Sequence, residues 1–379
     1  MAFDFGALRR HPDVEGHGLE ASDAADRLIL DEAAARIAAT DPGELVVVDD
    51  AFGALALAAA GAGARGIRSH QDAITGERAL AENAERAGLA DAVQSMPLDP
   101  ELVAGARLVL LRLPRSLDRL DEVAGLIAMH AAPGVAVVAG GRIKHMSLAM
   151  NDVLGAWLER VDVSHARQKS RVLTSTGPRA SRHPAAEPWP RSERHDDLDM
   201  TVVAHGGVFA GTGVDIGTRF LLEQLGDAVP DAASAVDLAC GTGIVAAWLA
   251  RARPALTVTA SDRSAAAAAS ALQTAEANGV ADRVLVHRAD ALESLADASE
   301  PFVVLNPPFH SDAAVHAGIA AHLFTDAARV LAPGGELWCV WNSHLRYRPL
   351  LERLVGPTRQ IARNAKFTVT ASTVTDDAR

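Results

Sequence analysis

The strongest chemical signal in the sequence is a polar break at the end of an apolar segment. Phe302–Leu305 is followed directly by Asn306, Pro307, Pro308 and Phe309. Because two successive prolines remove two backbone hydrogen-bond donors, this segment cannot continue as a central strand. It ends instead in an amide side chain, exposed carbonyl groups and an aromatic ring. These groups suit the binding of a planar amino group, in a nucleobase or a carboxamide, while that group reacts.

A glycine-rich turn precedes this segment in the chain. It follows an apolar run, opens a helical stretch and contains Asp237, Ala239, Cys240, Gly241 and Gly243. Glycines let the backbone approach a ligand closely, and the start of a helix offers free N–H donors. The turn departs from the Gly-x-Gly-x-x-Gly pattern of dinucleotide sites because residue 246 is alanine. No activating base accompanies Cys240, so we expect it to fill the turn rather than to act as a nucleophile.

Two carboxylates follow the next predicted strands. Asp262 comes after Leu256–Ala260, and Asp290 comes after Val284–His287. Since the carboxyl ends of parallel strands meet at one edge of a sheet, Asp262 can reach ribose hydroxyl groups and Asp290 an adenine amino group. Either residue taken singly could cap a helix. Their order after a glycine turn favours a nucleoside cofactor.

Short β-branched runs alternate with helical stretches in both halves of the chain. This pattern predicts an α/β fold with mostly parallel sheets and helices on both faces. In the second half, the predicted strands are Ala235–Leu238, Leu256–Ala260, Val284–His287, Phe302–Leu305, Leu337–Trp341 and Phe367–Ala371. The predicted helices include Ile244–Arg251, Ala265–Asn278 and Ala317–Val330.

Similar stretches recur in the two halves in the same order. The longest pair is Asn83–Asp91 and Thr274–Asp282. Shorter pairs match Asp49 with Asp237, Asp72 with Asp262, Leu110–Arg115 with Val304–Phe309, and Pro133-Gly134 with Pro333-Gly334. The offset changes slowly, as loop insertions produce after a duplication. We therefore predict two similar α/β domains in tandem, although any two strand-helix domains could share such features.

A proline-rich segment marks the predicted boundary. We expect a first domain over residues 1–174, a linker over 175–197 and a second domain over 198–379, because the linker shows little hydrophobic periodicity. The most basic stretch of the chain overlaps it and contains Arg167, Lys169, Arg171, Arg179, Arg182, Arg191 and Arg194. This stretch is either a solvated connection or a strip that contacts phosphates.

Composition restricts the classes of function. The formal net charge of -12 argues against a protein covered in phosphate contacts, so any nucleic-acid surface must be a local basic patch. Two cysteines provide neither a disulfide framework nor a zinc spacing. The sequence has no apolar run of membrane-spanning length and no leader-like start, so we expect a cytoplasmic protein with no membrane partner and no metal.

The motifs together resemble those of guanine-N2 methyltransferases of ribosomal RNA, an S-adenosylmethionine-dependent family with a Rossmann-like fold. The resemblance rests on Asn306–His310 and on His205–Phe209 with Val214–Arg219. Further matches are Asn342, Tyr347, Lys366 and Phe367. Ala239 stands where a glycine is usual, and Gly206 where a proline is usual.

The resemblance covers nearly the whole chain, because members of this family carry a degenerate methyltransferase domain before the active one. Segments typical of the large-subunit type G and small-subunit type C enzymes are Leu113–Ser116 and Arg167-x-Lys169-x-Arg171. The resemblance implies S-adenosylmethionine as cofactor and ribosomal RNA or a ribosomal particle as partner. It favours 23S over 16S RNA.

Roles for individual residues follow from the family pattern. Asn306 and the Pro307 carbonyl would accept the two N–H groups of the guanine amine, and Phe309 would stack on the base. Asn306 also borders the cofactor. Phe209 and Asp215 would shape the cofactor pocket, although ordinary core packing is a second interpretation of Phe209.

The first domain lacks these parts. Its counterpart of the Asn-Pro-Pro segment contains Arg112 and no asparagine, and its turn keeps one glycine, Gly53. We expect it neither to bind the cofactor well nor to catalyse. Its role is RNA recruitment or support of the second domain, and Arg112 and Arg115 favour recruitment.

Two alternatives remain for the whole chain. One is a methyltransferase of a protein glutamine amide or of adenine N6, since those enzymes share the Asn-Pro-Pro-aromatic segment. The other is an RNA-binding protein that has lost catalysis in both halves. The intact segment from Asn306 to Phe309, together with Asp262, argues against the second.

Overall fold

A parallel sheet covered by helices occurs in each half of the chain. The computed structural model describes residues 3–16, 18–179, 189–308 and 313–375, without the side chains of 313–317. Two compact units divide the chain, Met1–Trp189 and Pro190–Arg379. Within the described residues, no helix is both long and apolar enough to cross a membrane.

The first unit contains a seven-stranded sheet. Its elements are α1 (Ala24–Ile37), β1 (Leu45–Val48), α2 (Ala54–Gly61), β2 (Ile67–His70), α3 (Ile74–Ala87), β3 (Val93–Ser95), α4 (Pro100–Val103), β4 (Leu108–Arg112), α5 (Leu117–His130), β5 (Ala136–Arg142), α6 (Ala149–Trp157), β6 (Leu158–Val163) and β7 (Ser170–Pro178). The strand order is β3-β2-β1-β4-β5-β7-β6, with β7 antiparallel to both neighbours. The interior strand β1 is buried along its whole length, as expected for an apolar run with helices on both faces.

The second unit repeats this topology after a short hairpin. Its elements are β8 (Arg191–His195), β9 (Met200–Ala204), α7 (Ile216–Leu222), β10 (Ser234–Leu238), α8 (Ile244–Ala252), β11 (Thr257–Asp262), α9 (Ala265–Ala277), β12 (Val284–Arg288), β13 (Glu300–Leu305), α10 (Ala313–Val330), β14 (Leu331–Asn342), α11 (Arg348–Leu354), β15 (Thr358–Arg363) and β16 (Phe367–Thr373). The order β12-β11-β10-β13-β14-β16-β15 is that of the first sheet. The predicted fold class, two tandem Rossmann-like domains, is confirmed.

Strand pairing corrects one detail of the internal repeat. The N-cap residues of α2 and α8 are Gly53 and Gly243, and four residues before each the backbone turns left-handed, at Asp49 (φ 58°) and Ala239 (φ 55°). The sequence comparison paired Asp49 with Asp237, because matching residue type displaced the alignment by two positions. Val47 therefore lies at the position of Asp237, and Asp50 in the turn makes the corresponding contact, because its Oδ2 accepts from the N–H of Ala56 at 2.9 Å.

A second displacement lies at the next strand. Val48 pairs with His70, as Leu238 pairs with Ser261, so Gln71 lies at the position of Asp262. Asp72, which the sequence comparison matched with Asp262, lies one residue further on. The carboxylate expected to contact a ribose is thus missing from the first unit.

The predicted linker is too long at both ends. β7 continues through Pro178 and β8 begins at Arg191, so strands occupy both margins of 175–197. Residues 180–188, including Arg182, lie outside the described part. Pro178 is tolerated because it is the last residue of its strand, and β8 was missed because three of its five residues are exposed and polar. The basic residues therefore form no single strip; Arg194, for example, pairs with Asp196 and Asp199.

Candidate active site

Asp237 connects β10 to the start of α8, which follows the glycine turn. This residue of β10 is 3% exposed, and its Oδ2 accepts a hydrogen bond from the backbone N–H of Ala246 at 3.0 Å. Burial, with the charge of Asp262, raises the pKa of Asp237 to about 7. Its observed contact is with the first turn of α8. A contact with the cofactor stays a prediction.

The two glycines of the turn serve different purposes. A Cβ on Gly243 would lie 2.6 Å from Cβ of Ala271, so this glycine lets the start of α8 pack against α9. A Cβ on Gly241 would meet no atom within 4 Å, so the space beside this residue is open. Its φ of 54° lies in the left-handed region that favours glycine. That space is where a ligand can approach the turn.

Asp262 connects this turn to the next helix. Its Oδ2 accepts from the N–H of Gly241 at 3.0 Å, and its Oδ1 accepts from the N–H of Ser264 at 2.9 Å. A carboxylate oxygen can accept more than one hydrogen bond, so these two contacts do not exclude a hydroxyl donor. Asp262 is therefore held rigidly beside the open space next to Gly241, a position that suits recognition of a ribose.

Asp290 lies beyond β12 and is only partly buried. Its Oδ1 is 3.3 Å from Nε2 of His322, and this hydrogen bond is the main reason why the pKa of His322 is raised. The side chain of Asp290 is 23% exposed. It lies near Asp262, whose backbone oxygen accepts from the N–H of Ala289 at 3.0 Å. The proposed contact with adenine is untested.

Cys240 has the properties of a filler. It is 7% exposed, and burial, reinforced by the charges of Asp262 and Asp237, raises the pKa of its thiol well above the ordinary value. A protonated thiol is a poor nucleophile. Ala239 takes the left-handed conformation in which a glycine is usual in related sequences, and it does so without breaking the turn.

The amide of Asn306 is anchored on one side and open on the other. Its Nδ2 donates to Oγ1 of Thr218 at 2.9 Å. Its Oδ1 is buried and has no hydrogen-bond partner among the described residues. A buried acceptor without a partner costs about 1–3 kcal/mol, so such an atom indicates a ligand. Pro307 is buried beside it and Pro308 is exposed, whereas Phe309 and His310 lie outside the described residues.

The helix α7 brings Thr218 to this position. Asp215 is its N-cap, and its Oδ2 accepts from the N–H groups of Gly217 at 2.8 Å and Thr218 at 3.2 Å. A Cβ on Gly217 would lie 3.0 Å from Cε1 of Phe367, so glycine lets α7 lie closely on β16. The observed contacts of Asp215 are thus with the helix. Its predicted contribution to the cofactor pocket is untested.

Both halves of the chain match known protein families. Residues 2–179 match the model of the RLMG N-terminal domain, and residues 199–371 match that of the Methyltransferase small domain. The "Ribosomal RNA large subunit methyltransferase G" of Pseudomonas paraeruginosa is 36% identical over 366 residues, which cover 96% of each chain. The chain belongs to the methyltransferase G family. The protein of the same name from Pseudomonas entomophila is also 36% identical, with the same coverage.

A solved structure supports the fold assignment. The Thermus thermophilus 16S rRNA N2 G1207 methyltransferase, determined with AdoMet and guanosine, aligns over 96% of this chain and 94% of its own. The TM-score is 0.74 and the identity is 23%. The family, tandem fold and S-adenosylmethionine cofactor that the sequence predicted for this chain are confirmed.

One positioning device of this family member was not predicted from its sequence. Three side chains spaced four residues apart accept hydrogen bonds from alternate backbone N–H groups of β9 and of His205, which follows it. They are Ser270 and Thr274 of α9 and its C-cap residue Asn278, at 2.9, 3.0 and 2.9 Å. Four helical residues and two strand residues span similar lengths, so the two spacings agree. The Thr274-to-Asn278 stretch was noticed in the sequence only as part of the repeat.

These hydrogen bonds hold β9 against α9, and the segment that contains Phe209 follows β9 in the chain. Val208 packs on Ala266 and Ala267 at the start of α9. Phe209 itself is 47% exposed, so core packing is the wrong interpretation of this residue. The contribution of Phe209 to the cofactor pocket stays a prediction.

In the first unit, charged side chains occupy the corresponding position. Asp23 is the N-cap of α1 and Asp26 lies three residues on, as Thr218 lies three residues after Asp215. Arg112, at the position of Asn306, pairs with Asp23 at 2.9 Å and with Asp26 at 2.6 Å. Both carboxylates of α1 therefore engage Arg112, whereas the expected role of the first unit in RNA recruitment stays a prediction.

Proposed function

We propose that the second domain transfers a methyl group from S-adenosylmethionine to the exocyclic N2 of a guanine in ribosomal RNA, with 23S RNA as substrate. The names of the relatives indicate large-subunit RNA, and the Thermus structure is of an enzyme that modifies guanine N2. The observation that carries the proposal is the buried Oδ1 of Asn306, which has no partner among the described residues.

The chemistry requires such an acceptor. The amino nitrogen of guanine shares its lone pair with the ring and is therefore a poor nucleophile. Acceptance of its N–H groups by Oδ1 of Asn306 and by the carbonyl of Pro307 favours a pyramidal nitrogen with a localised lone pair. This interaction is stronger in the transition state than in the ground state, which is the condition for catalysis. A neutral amide is not a base, so Asn306 acts by alignment and hydrogen bonding, and the proton that the methylated nitrogen loses passes to water.

The residues around the glycine turn fit the cofactor. The open side of Gly241 admits a ligand to the backbone, and Asp262 provides acceptors for ribose hydroxyl groups. S-adenosylmethionine supplies an electrophilic methyl group on a sulfonium centre. Phe209 and Asp290 would contact the nucleoside, and Phe309 would stack on the guanine.

Thr218 is a positioning residue in this proposal. Its hydroxyl accepts from Nδ2 of Asn306 and so directs Oδ1 away from the helix. Asp215 maintains the helix start that presents Thr218. The orientation of the amide thus depends on a chain of contacts from Asp215 through Thr218 to Asn306.

The test is methyl transfer from labelled S-adenosylmethionine to protein-depleted 23S and 16S RNA from a strain that lacks this gene. Nucleoside analysis should find the label in N2-methylguanosine from 23S RNA. The Asn306→Ala variant should bind the cofactor but transfer no methyl group. Label in 16S RNA would correct the subunit, and label in N6-methyladenosine or in a protein glutamine would refute the proposal.

A further inference from the structure

A loop beyond β12 lies beside the cofactor turn of the second unit. It runs from Asp290 to Asp297, between β12 and β13. Strands β10, β11 and β12 are neighbours in the sheet, so the glycine turn, Asp262 and Asp290 follow one another along its carboxyl edge. A nucleoside whose ribose lies at Asp262 therefore reaches this loop with its base.

One face of α10 contacts the loop. His322, Asp326 and Arg329 are spaced by four and three residues, so they share a face of the helix. Oδ2 of Asp326 accepts from the N–H of Leu292 at 2.7 Å. Arg329 donates to the carbonyl groups of Leu292 and Leu295, each at 2.9 Å. Asp326 and Arg329 thus hold the loop by its backbone, without a contribution from His322.

His322 contacts the side chain of Asp290 instead. Its Nε2 lies 3.3 Å from Oδ1 of Asp290. The backbone beside this carboxylate is strained, because Ala291 has a φ of 49°, and the hydroxyl of Ser261 donates to the carbonyl of Ala291. Such strain persists only where neighbouring contacts impose it, and it is commonest at ligand sites. The loop is therefore arranged around the carboxylate that His322 contacts.

The charges around His322 favour its protonated form. Its hydrogen bond with Asp290 is the largest cause of a raised pKa, and the charges of Asp290 and Asp326 act in the same direction. Partial burial and the charge of Arg263 oppose them. The side chain of His322 is 51% exposed, so it exchanges protons with the solvent. An imidazolium ion can thus face the carboxylate near neutral pH.

A bound nucleoside changes what this carboxylate requires. A cofactor that covers Asp290 excludes water, and a carboxylate without water is costly unless a charge or a hydrogen-bond donor replaces it. The amino group of adenine is one donor, and His322 is a second that carries positive charge when protonated. Hypoxanthine has a carbonyl oxygen in place of the amino group, so it would bring an acceptor to an acceptor.

We propose that His322 is a positioning residue for cofactor selection, which holds the Asp290 carboxylate as the acceptor for the amino group of adenine and balances its charge there. Cofactor binding then favours protonated His322, so affinity falls as the pH rises and His322 loses its proton. The proposal rests on the proposed function only in placing adenine at Asp290. The competing role of His322 is to fasten α10 to the loop.

The experiment measures by calorimetry the Kd of the full-length protein for S-adenosylhomocysteine and for S-inosylhomocysteine, which carries hypoxanthine, between about pH 6 and about pH 9. His322→Ala removes the contact, whereas His322→Gln keeps a donor near the position of Nε2 that does not titrate. His130→Ala is the matched control, because it removes an exposed histidine from the first unit. Thermal melting establishes that each variant is folded.

The parent should prefer S-adenosylhomocysteine roughly tenfold or more, and its affinity should fall roughly three- to fivefold as the pH rises. His322→Gln should keep the preference and lose this pH dependence, whereas His322→Ala should reduce the preference roughly three- to fivefold. The control should match the parent. Titration of the ligands themselves is common to all the proteins and cancels in the comparison.

Three results would overturn the proposal. They are equal binding of the two ligands by the parent, equal weakening of both by His322→Ala, and the parental pH dependence in His322→Gln. The second of these would assign His322 the fastening role alone. Because cofactor binding is measured without methyl transfer, failure of the parent to methylate guanine would leave this result interpretable.

Discussion

The most direct test of the site is the Thr218→Val substitution. Valine has nearly the shape of threonine and suits a side chain that is 7% exposed, so the helix should be kept. The substitution removes the only contact recorded for Nδ2 of Asn306 among the described residues, the 2.9 Å hydrogen bond to Oγ1. The amide then loses the acceptor that directs Oδ1 toward the substrate.

The magnitude follows from the cost of an unpaired amide N–H. A partly buried amide N–H left without a partner costs about 1–3 kcal/mol, and the amide can relieve this cost by rotating its NH2 group toward the guanine. If about 2 kcal/mol of this appears in the transition state, the rate of methyl transfer falls roughly 30-fold. Asn306→Ala removes the acceptor itself and should cost more, roughly 10²–10³-fold, as loss of a preorganised group in an active site does.

The assay is the single-turnover rate of methyl transfer to 23S RNA, with cofactor affinity measured separately. Thr218→Val should slow transfer without weakening cofactor binding, and Thr218→Ser should restore the rate because it keeps the hydroxyl. The double variant with Asn306→Ala should be no slower than Asn306→Ala alone, since Thr218 acts through that amide. A parental rate for Thr218→Val, or additive losses in the double variant, would refute the reasoning.

Three further substitutions test the cofactor turn. Asp262→Ala should weaken S-adenosylmethionine binding by about 1–3 kcal/mol, measured by calorimetry, because its carboxylate holds Gly241 and, in the proposed function, accepts from the ribose. Gly243→Ala should lower Tm, because its Cβ would lie 2.6 Å from that of Ala271; an unchanged Tm would contradict that packing. Burial raises the pKa of Asp237 from 3.8, the value expected in the unfolded chain, to about 7 in the folded protein. Between these two pH values the unfolded chain has lost the proton that the folded protein still holds, so the free energy of unfolding falls as the pH rises. The Tm of the parent minus that of Asp237→Asn should therefore fall from pH 4 to pH 7, and a constant difference would show that the pKa is not raised.

Much of the second sheet could be predicted because its strands are continuous apolar runs. The predicted strand Phe302–Leu305 and helix Ile244–Arg251 agree with β13 and α8 to within two residues at each end. The strand Thr358–Arg363 was missed because most of it is polar, as an edge strand with exposed residues can be. Its existence depends on pairing with β16, which local sequence does not report.

The candidate site was predictable in its residue types but not in its contacts. Asn306 and Asp262 were found from their positions after strands. The role of Thr218 was hidden because it lies 88 residues from Asn306 and looks like an ordinary helical threonine. Matching by residue type also paired Asp49 with Asp237. Only the strand register shows that Asp49 and Ala239 are at equivalent positions in the two units.

The two units together show why the first cannot be returned to catalysis by one substitution. Arg112→Asn would restore the amide, but Asp26 would then face it where Thr218 faces Asn306, and the two aspartates of α1 would lose their counter-ion. Burial already raises the pKa of Asp26, so removal of Arg112 would favour its protonated form further. Gln71 would still lie at the position of Asp262. The first unit thus has an internal ion cluster at the position where the second unit has Asn306 and Thr218.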